Sequence, residues 1–220
     1  MQKLTLQQRV VAVLFVLFLL LFPHFVPLPF FSYTLVCFGV GLYYLRWQKQ
    51  NLAGLGLQKT GLTLKPLAIG LLSALLWVAF MRWGYIPFIF HFFKDMVPPY
   101  TEYDFIRNNP AKLLMVIVAA WVVGGFYEEV VFRGFILRTI QGQFPKPEKS
   151  FWVAGIITSV LFGLYHWQQG IFGVIPAVLG SLYWTFLFKR FGENLWYSIF
   201  SHAFYDTITL VMIYYGVFGK

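Results

Sequence analysis

The chain has 220 residues, of which 59% are hydrophobic, 21% are aromatic and only 11% are charged. Soluble globular proteins carry roughly 25% charged residues, so most of this chain must lie where burying a charge is costly. This composition excludes a disordered protein, which needs low hydrophobicity and a high density of charge. Cys37 is the only cysteine, which excludes an intrachain disulfide and a cysteine-rich zinc site.

The net charge of +9 has a simpler explanation than binding to nucleic acid. The 17 lysine and arginine residues are spread through short loops and do not form a basic tract. Short loops rich in lysine and arginine are typical of the cytoplasmic side of membrane proteins. We therefore expect the lipid bilayer as a partner and no nucleic acid.

Apolar runs as long as a membrane helix recur along the chain. A membrane helix needs about 20 mostly apolar residues, and polar or Pro/Gly-rich stretches separate the runs. We predict an all-α, polytopic transmembrane helix bundle with seven or eight spans, in which the last four form a catalytic core. The seven predicted spans are 9–23, 27–45, 66–88, 112–139, 151–168, 171–188 and 195–217.

The first apolar run resembles a signal peptide but lacks its cleavage site. Bulky residues follow the run where small residues would be needed, so we expect a retained anchor and not a signal peptide, with a tight turn at 23–27. We also divide the chain into amino-terminal transmembrane helices and loops at 1–110 and a catalytic helical core at 111–220, within one integral membrane domain.

The distribution of positive charge predicts an orientation. If the amino terminus is cytoplasmic, eleven lysine and arginine residues in the loops lie inside and four lie outside, which is the expected bias. We therefore predict an integral protein of a prokaryotic cell membrane with a cytoplasmic amino terminus. The eleven are Lys3, Arg9, Arg46, Lys49, Lys59, Lys65, Arg138, Lys146, Lys149, Lys189 and Arg190, and the four are Lys94, Arg107, Lys112 and Lys220.

Three ionisable side chains lie close together in the fourth predicted span. An ionisable group at the centre of a membrane helix costs roughly 2.5 to 3.5 kcal/mol, so it normally faces a bundle interior or a wet cavity and has a partner. Glu129 and Arg133 are four residues apart on one helical face, in the favourable order for an ion pair. Glu128 points about 100° away from them, which makes it a candidate general base. The alternative is that both glutamates mark a cytoplasmic helix end.

Two further sites follow in later spans. His166 ends the fifth predicted span, and on this stretch alone it could be an interface residue. His202 and Asp206 share one face of the last span, where a buried hydrogen-bonded pair could also serve packing alone. Together with Glu128 these residues can polarise a water and stabilise an oxyanion. Two imidazoles and a carboxylate also suit zinc, so a metal site stays open.

The predicted spans place these groups at different depths. Counted from the span ends, Glu128 would lie about 6 Å, His202 about 12 Å and His166 about 22 Å from the cytoplasmic edge of a hydrocarbon core about 30 Å thick. Straight helices would keep them apart. The groups can meet only if the fourth span protrudes or tilts, or if the fifth begins below the membrane edge.

Three short motifs, in their order along the chain, resemble those of a known family. Glu-Glu-x-x-x-Arg at 128–133, Phe-x-x-x-His at 162–166 and His-x-x-x-Asp at 202–206 are similar to the motifs of the CPBP intramembrane proteases. That family includes type II CAAX prenyl endopeptidases and Abi-like bacterial proteins of bacteriocin processing or immunity. The motifs lie within 112–217, about half of the chain.

The resemblance implies a membrane endopeptidase that acts on peptides or membrane proteins. In its glutamate mechanism, Glu128 and His166 would activate water, and His202 and Asp206 would stabilise the oxyanion. The supporting residues would be Glu129, Arg133 and Phe162. No cofactor is required in this mechanism, although a divalent metal such as zinc is the older proposal for the family and stays open.

One residue departs from the family pattern. The family often has asparagine where this chain has Asp206, and an amide can donate a hydrogen bond to an oxyanion, whereas an ionised carboxylate can only accept. We therefore expect Asp206 to orient His202, with a protonated carboxyl and metal ligation as alternatives.

Two other functions are compatible with these buried ionisable residues. A proton-coupled transporter could use the same buried charges, but it should show paired halves with broken helices, and the sequence shows no such symmetry. A non-enzymatic immunity protein of the same fold is the other alternative, and the intact residues at every motif position argue mildly against it.

Overall fold

The computed structural model describes residues 5–96 and 102–217, and all regular structure in this part of the chain is helical. In these residues seven long helices follow one another, each overlapping one predicted span, which confirms the all-α helix bundle. They are α1 Leu6–Phe25, α2 Tyr33–Trp47, α3 Leu64–Phe93, α4 Pro110–Gly142, α5 Phe151–Tyr165, α6 Ile171–Arg190 and α7 Leu195–Tyr214.

Four of these helices, α1, α3, α4 and α6, are long and apolar enough to cross a membrane. The helix α5 is apolar but shorter. Large apolar side chains on the outer surface are strongly exposed, such as Leu64 at 82% and Trp83 at 78%. Such exposure would favour aggregation in water but is ordinary in lipid, where helices satisfy their own backbone hydrogen bonds. The chain is therefore an integral membrane protein.

The first helix is longer than predicted, and the expected turn at Pro23 is wrong. The helix begins with a capping box, in which Thr5 Oγ1 accepts a hydrogen bond from the Gln8 amide at 3.2 Å and Gln8 Oε1 accepts one from the Thr5 amide at 2.9 Å. It then continues through Pro23 and ends at Phe25. Membrane helices tolerate an internal proline because neighbouring groups satisfy the freed backbone carbonyl.

The third helix is also longer than predicted, since α3 continues to Phe93 through a π-helical segment, Met81–Tyr85. His91 therefore belongs to this helix, although it lies beyond the predicted span 66–88. Two of the charged residues that predict the orientation, Lys3 and Lys220, lie outside the described residues. The cytoplasmic amino terminus stays a prediction.

Two compact units make up the chain. The first combines the described residues up to Leu62 with Tyr127–Leu195, and thus contains α1, α2, the second half of α4, α5 and α6. The second combines the described residues from Thr63 to Phe126 with those from Trp196 onward, and contains α3, the first half of α4 and α7. The functional division into 1–110 and 111–220 concerns roles and stays a prediction.

A cluster of charges closes the turn that follows α6 in the first unit. Glu193 accepts a hydrogen bond from Lys189 Nζ at 2.6 Å and pairs with Arg138 Nη2 at 2.6 Å. Burial by itself would raise the pKa of Glu193, but the hydrogen bond from Lys189 and the charge of Arg138 outweigh it and lower that pKa below its ordinary value of 4.5. The cluster ties the end of α4 to the end of α6.

Because the pKa of Glu193 is lowered by folding, we expect its ion pairs to stabilise the protein above about pH 4.5, and this contribution to be lost as the pH falls through the lowered value. Thermal unfolding in detergent should therefore show wild type more stable than Glu193→Gln at pH 7, with the difference shrinking below pH 4.5. Equal unfolding temperatures at pH 7 would contradict this prediction.

Candidate active site

A helical hairpin brings Glu128 and His166 together in the first unit. Glu128 lies 14 residues before Gly142, the last residue of α4, and His166 lies 15 residues after Phe151, the first residue of α5. Residues at equal distances from the turn of an antiparallel hairpin lie side by side. Glu128 Oε1 is 4.0 Å from His166 Nε2.

This distance corrects the depths estimated from the sequence, which kept Glu128 far from His166. That estimate counted each residue from an assumed membrane edge. The structure shows that α4 extends past the predicted end at 139. The position of each residue along the hairpin is therefore determined by its distance from the α4–α5 turn. Side-chain exposure is 12% for Glu128 and 18% for His166, so both are largely shielded and still reachable.

The helix that carries Glu128 is wider than an ordinary α-helix at this point. Residues Ala120–Glu128 and Val130–Ile136 are π-helical. Such turns are rare in proteins and occur frequently at functional sites. The widening surrounds the Glu128-Glu129 pair that the sequence singles out.

The backbone of α5 determines which nitrogen of His166 faces Glu128. Nδ1 of His166 lies 2.8 Å from the carbonyl oxygen of Phe162, which belongs to the last turn of that helix and can only accept a hydrogen bond. Nδ1 therefore carries the proton in the neutral ring, and Nε2, which faces Glu128, is an acceptor.

The predicted ion pair between Glu129 and Arg133 is present and completely buried. Arg133 Nη1 lies 3.1 Å from Glu129 Oε1, and both side chains are 0% exposed. Arg133 Nη2 also donates to the carbonyl oxygen of Ser181 at 3.0 Å. The guanidinium lies over the rings of Phe162 at 5.0 Å and Trp184 at 5.5 Å, which is cation–π geometry.

Arg133 consequently connects three helices of the first unit. It is carried by α4, its aromatic contact Phe162 belongs to α5, and its contacts Ser181 and Trp184 belong to α6. Since the carbonyl of Phe162 holds His166, the buried arginine also supports the helix turn that orients this histidine. Nothing in the sequence pointed to Ser181 or Trp184.

The second pair lies on α7 in the second unit. His202 Nε2 is 3.7 Å from Asp206 Oδ2, and side-chain exposure is 6% and 25%, respectively. A Cβ atom added at Gly124 would lie 2.6 Å from Asp206 Oδ2 and 3.8 Å from His202 Nε2. The absence of a side chain at Gly124 therefore makes room for the pair, a role that the sequence analysis missed although Gly124 directly precedes the Glu-Glu motif.

Two hydrogen bonds hold α7 around this pair. Ser73 Oγ on α3 donates to Ser201 Oγ at 2.7 Å, and both serines are buried. Trp121 Nε1 on α4 donates to Thr207 Oγ1 at 3.0 Å. Polar contacts between membrane helices of this kind each contribute about 0.6 to 2 kcal/mol and determine the register of the helices.

A metal ion at the active site would need histidine, cysteine or carboxylate side chains grouped around it. In residues 5–96 and 102–217, no group of three or more histidine, cysteine, aspartate or glutamate side chains is arranged to hold a metal ion. Each of the two pairs supplies two donors, whereas catalytic zinc uses three protein ligands. The described side chains therefore do not fit a three-ligand zinc site.

A comparison with protein families matches the region that carries these motifs. Residues 110–208 match the Rce1-like family, described as type II CAAX prenyl endopeptidase Rce1-like. The chain is 30% identical over 109 residues to a Bacillus subtilis protein named "Putative membrane peptidase YdiL", and 24% identical over 109 residues to an uncharacterized protein of Mycoplasma capricolum.

These matches cover only part of each protein. They include 50% and 49% of this chain, and 40% and 30% of the Bacillus and Mycoplasma proteins, respectively. No solved structure is significantly similar to the chain.

Proposed function

Since this integral membrane chain carries an Rce1-like region at residues 110–208, we propose that it is an intramembrane endopeptidase in which Glu128 and His166 activate a water molecule. The observation that carries the proposal is the 4.0 Å distance between Glu128 Oε1 and His166 Nε2. The proposed substrates are membrane-associated proteins or peptides, prenylated or not, with bacteriocin-type peptides among them.

Two acceptors that face each other at this distance suit a water molecule. A water that donates one hydrogen bond of about 2.8 Å to each atom fits between them, and its lone pairs stay available for attack. Neither Glu128 nor neutral His166 can donate to the other. The pair thus selects a donor with two hydrogens, which is the requirement for a water nucleophile.

The reaction follows from these roles. As the water oxygen bonds to the scissile carbonyl carbon, Glu128 takes the water proton and the carbonyl π electrons move to the oxygen. Glu128 then returns the proton to the amide nitrogen, the C–N bond breaks with its electron pair going to nitrogen, and an amine and a carboxylic acid leave. The wall of apolar helices excludes bulk water and strengthens these charge interactions.

We propose His202 as the donor that stabilises the oxyanion and Asp206 as the residue that orients it. The 3.7 Å contact between them supports an interaction of the two side chains. An oriented N–H donor aimed at the developing negative charge contributes about 2.7 to 4 kcal/mol in comparable sites. This assignment rests on the motif resemblance as well as on the contact.

We expect Asp206→Asn to keep at least about a tenth of the wild-type kcat, because the amide oxygen can still accept a hydrogen bond from His202. The measurement is the cleavage rate of the purified protein on a peptide substrate. Complete loss of activity, together with stoichiometric zinc in the purified wild type, would contradict the orienting role and favour metal ligation.

The test of the proposed function compares protein termini by mass spectrometry between membranes of cells that make the wild type and cells that make Glu128→Ala at matched abundance. New termini that require Glu128 would support proteolysis and identify substrates directly. Host cells of bacterial origin suit the experiment because both similar proteins come from bacteria. Termini unaffected by Glu128→Ala in the native host would overturn the proposal and favour transport or immunity.

We also propose that the protein resides in a prokaryotic cell membrane with its amino terminus in the cytoplasm. The bias of lysine and arginine across the loops supports the orientation. A reporter enzyme fused to the amino terminus, active only in the cytoplasm, tests it.

A further inference from the structure

The helix α3 is too long to lie within a bilayer as one straight span. Its 30 residues, Leu64–Phe93, measure about 45 Å at about 1.5 Å per residue, whereas the hydrocarbon core is about 30 Å thick. A straight helix of this length would need a tilt of about 48° to stay inside the core, and membrane helices tilt by about 0 to 40°. Part of α3 therefore lies outside the hydrocarbon.

A single cation indicates where along α3 the hydrocarbon ends. Arg82 is the only lysine, arginine, aspartate or glutamate between Lys65 and Lys94, and it is exposed. Among the side chains that the structure describes, no carboxylate pairs with it. Lys65 and Arg82 are about 25 Å apart along the helix, so their long side chains can reach the two opposite headgroup layers. Trp83, which follows and is 78% exposed, is the residue type that prefers such a layer.

The part of α3 beyond Arg82 is apolar and exposed. The helix continues as Ile86–Phe93, in which His91 is the only polar side chain and Ile89 the only buried one. Phe88 is 55% and Phe92 is 62% exposed. The four consecutive residues 90–93 are all exposed, so no face of this turn is covered by the described part of the chain. A helix with apolar side chains on every side is stable only when protein or lipid surrounds it.

One placement of α3 satisfies both the cation and the aromatic end. If α3 continued upright beyond Arg82, its phenylalanine rings would stand in water. If α3 tilted until these rings reached the hydrocarbon, Arg82 would be drawn into the core, where a charge is costly. A helix that bends near Arg82 and then follows the headgroup layer avoids both costs. The π-helical segment Met81–Tyr85 lies at this point, and π-helical turns are among the few places where helices bend sharply.

We propose that the guanidinium of Arg82 binds the phosphate of a membrane phospholipid, and that Ile86–Phe93 lies along the headgroup layer of the same leaflet. A guanidinium donates two parallel hydrogen bonds to a phosphate, which makes arginine well suited to this anion. The phenylalanine rings beside it then rest on the upper part of the acyl chains. This lipid site lies on α3 in the second unit and does not depend on the proposed peptidase activity.

The experiment measures the depth of single residues by electron paramagnetic resonance, with the full-length protein in nanodiscs of phosphatidylcholine and phosphatidylglycerol. Cys37 is the only cysteine and is 0% exposed, so a nitroxide reagent labels a cysteine introduced at the surface. The labelled variants are Phe88→Cys and Phe92→Cys. Collisions of the nitroxide with oxygen, which concentrates in hydrocarbon, are compared with its collisions with a water-soluble nickel chelate. Leu76→Cys, exposed in the middle of α3, is the hydrocarbon reference, and Thr60→Cys, exposed in the loop before α3, is the water reference.

We expect both labels at headgroup depth and within about 2 Å of each other, because residues four apart on a helix that lies in the membrane plane share one level. An upright helix would place Phe92 about 6 Å further from the bilayer centre than Phe88 and would overturn the inference. Oxygen contact as high as at Leu76 would also overturn it. Nickel contact as high as at Thr60 would do the same, and would favour a protein partner on the aromatic end.

A change of Arg82 tests the phosphate contact itself. In Arg82→Leu, the apolar run has no charge that holds it at the surface, so both labels should move toward the bilayer centre by at least about 3 Å, the rise of two residues. Arg82→Lys keeps a cation and should leave the depths close to those of the wild type. Arg46→Leu is the matched control, since it removes an exposed arginine from α2. Unchanged depths in Arg82→Leu would overturn the assignment of Arg82 to a phosphate.

Discussion

Replacing Glu128 by glutamine is expected to lower kcat on a cleaved peptide by about 10²- to 10⁴-fold, because the amide has no basic oxygen to accept the proton of water. His166→Ala should cause a loss of the same order, since the water then lacks its second acceptor. The measurement is the steady-state rate of the purified protein on a peptide that spans a cleavage site found by the comparison of termini.

The double variant is the informative control for this prediction. Groups that act as a unit show strongly non-additive losses, so Glu128→Gln combined with His166→Ala should be scarcely slower than either single variant. Glu102→Gln changes an exposed carboxylate in the loop between α3 and α4 and should leave kcat unchanged. Multiplying losses in the double variant would show that Glu128 and His166 do not share one water.

Replacing Arg133 by methionine is expected to destabilise the protein by about 3 to 5 kcal/mol, because Glu129 would remain buried at 0% exposure without its counter-charge. The carbonyl oxygen of Ser181 would also lose its donor. Denaturation in mixed micelles, followed by the loss of helical circular dichroism, measures the effect.

A compensating variant distinguishes charge from packing. If the cost arises from the unpaired carboxylate, then Arg133→Met combined with Glu129→Leu should recover most of the stability, since a buried ion pair replaced by apolar groups is often nearly neutral. Arg46→Met removes an exposed arginine from α2 in the same unit and should change stability by less than about 0.5 kcal/mol. A double variant as unstable as Arg133→Met would assign the loss to the aromatic contacts of the guanidinium.

The helices themselves were predictable because the bilayer imposes a strong local rule. A run of about 20 apolar residues satisfies its backbone internally and buries its side chains in lipid, so each helix can be read without knowing its neighbours. The prediction was less accurate at the ends, where Pro23 lies inside α1 and His91 inside α3. Proline and a few polar residues stop a helix in water more readily than in a membrane bundle.

The buried pair of Glu129 and Arg133 was equally accessible to sequence analysis, since residues four apart on one helix meet whatever the fold. The pair of His202 and Asp206 follows the same rule. In each case the unusual observation was an ionisable group within an apolar run, where the cost of burial implies a partner.

The amino-acid sequence by itself determined the helix bundle, the membrane setting and the ionisable residues that stand out within it, because these depend on composition and on spacings of a few residues. Only the tertiary structure decided that Glu128 and His166 face each other and that the carbonyl oxygen of Phe162 directs the histidine proton away from Glu128. These contacts join residues far apart in the chain, and their geometry depends on the length of the α4–α5 hairpin and on how side chains fill the space between helices, which no local pattern encodes.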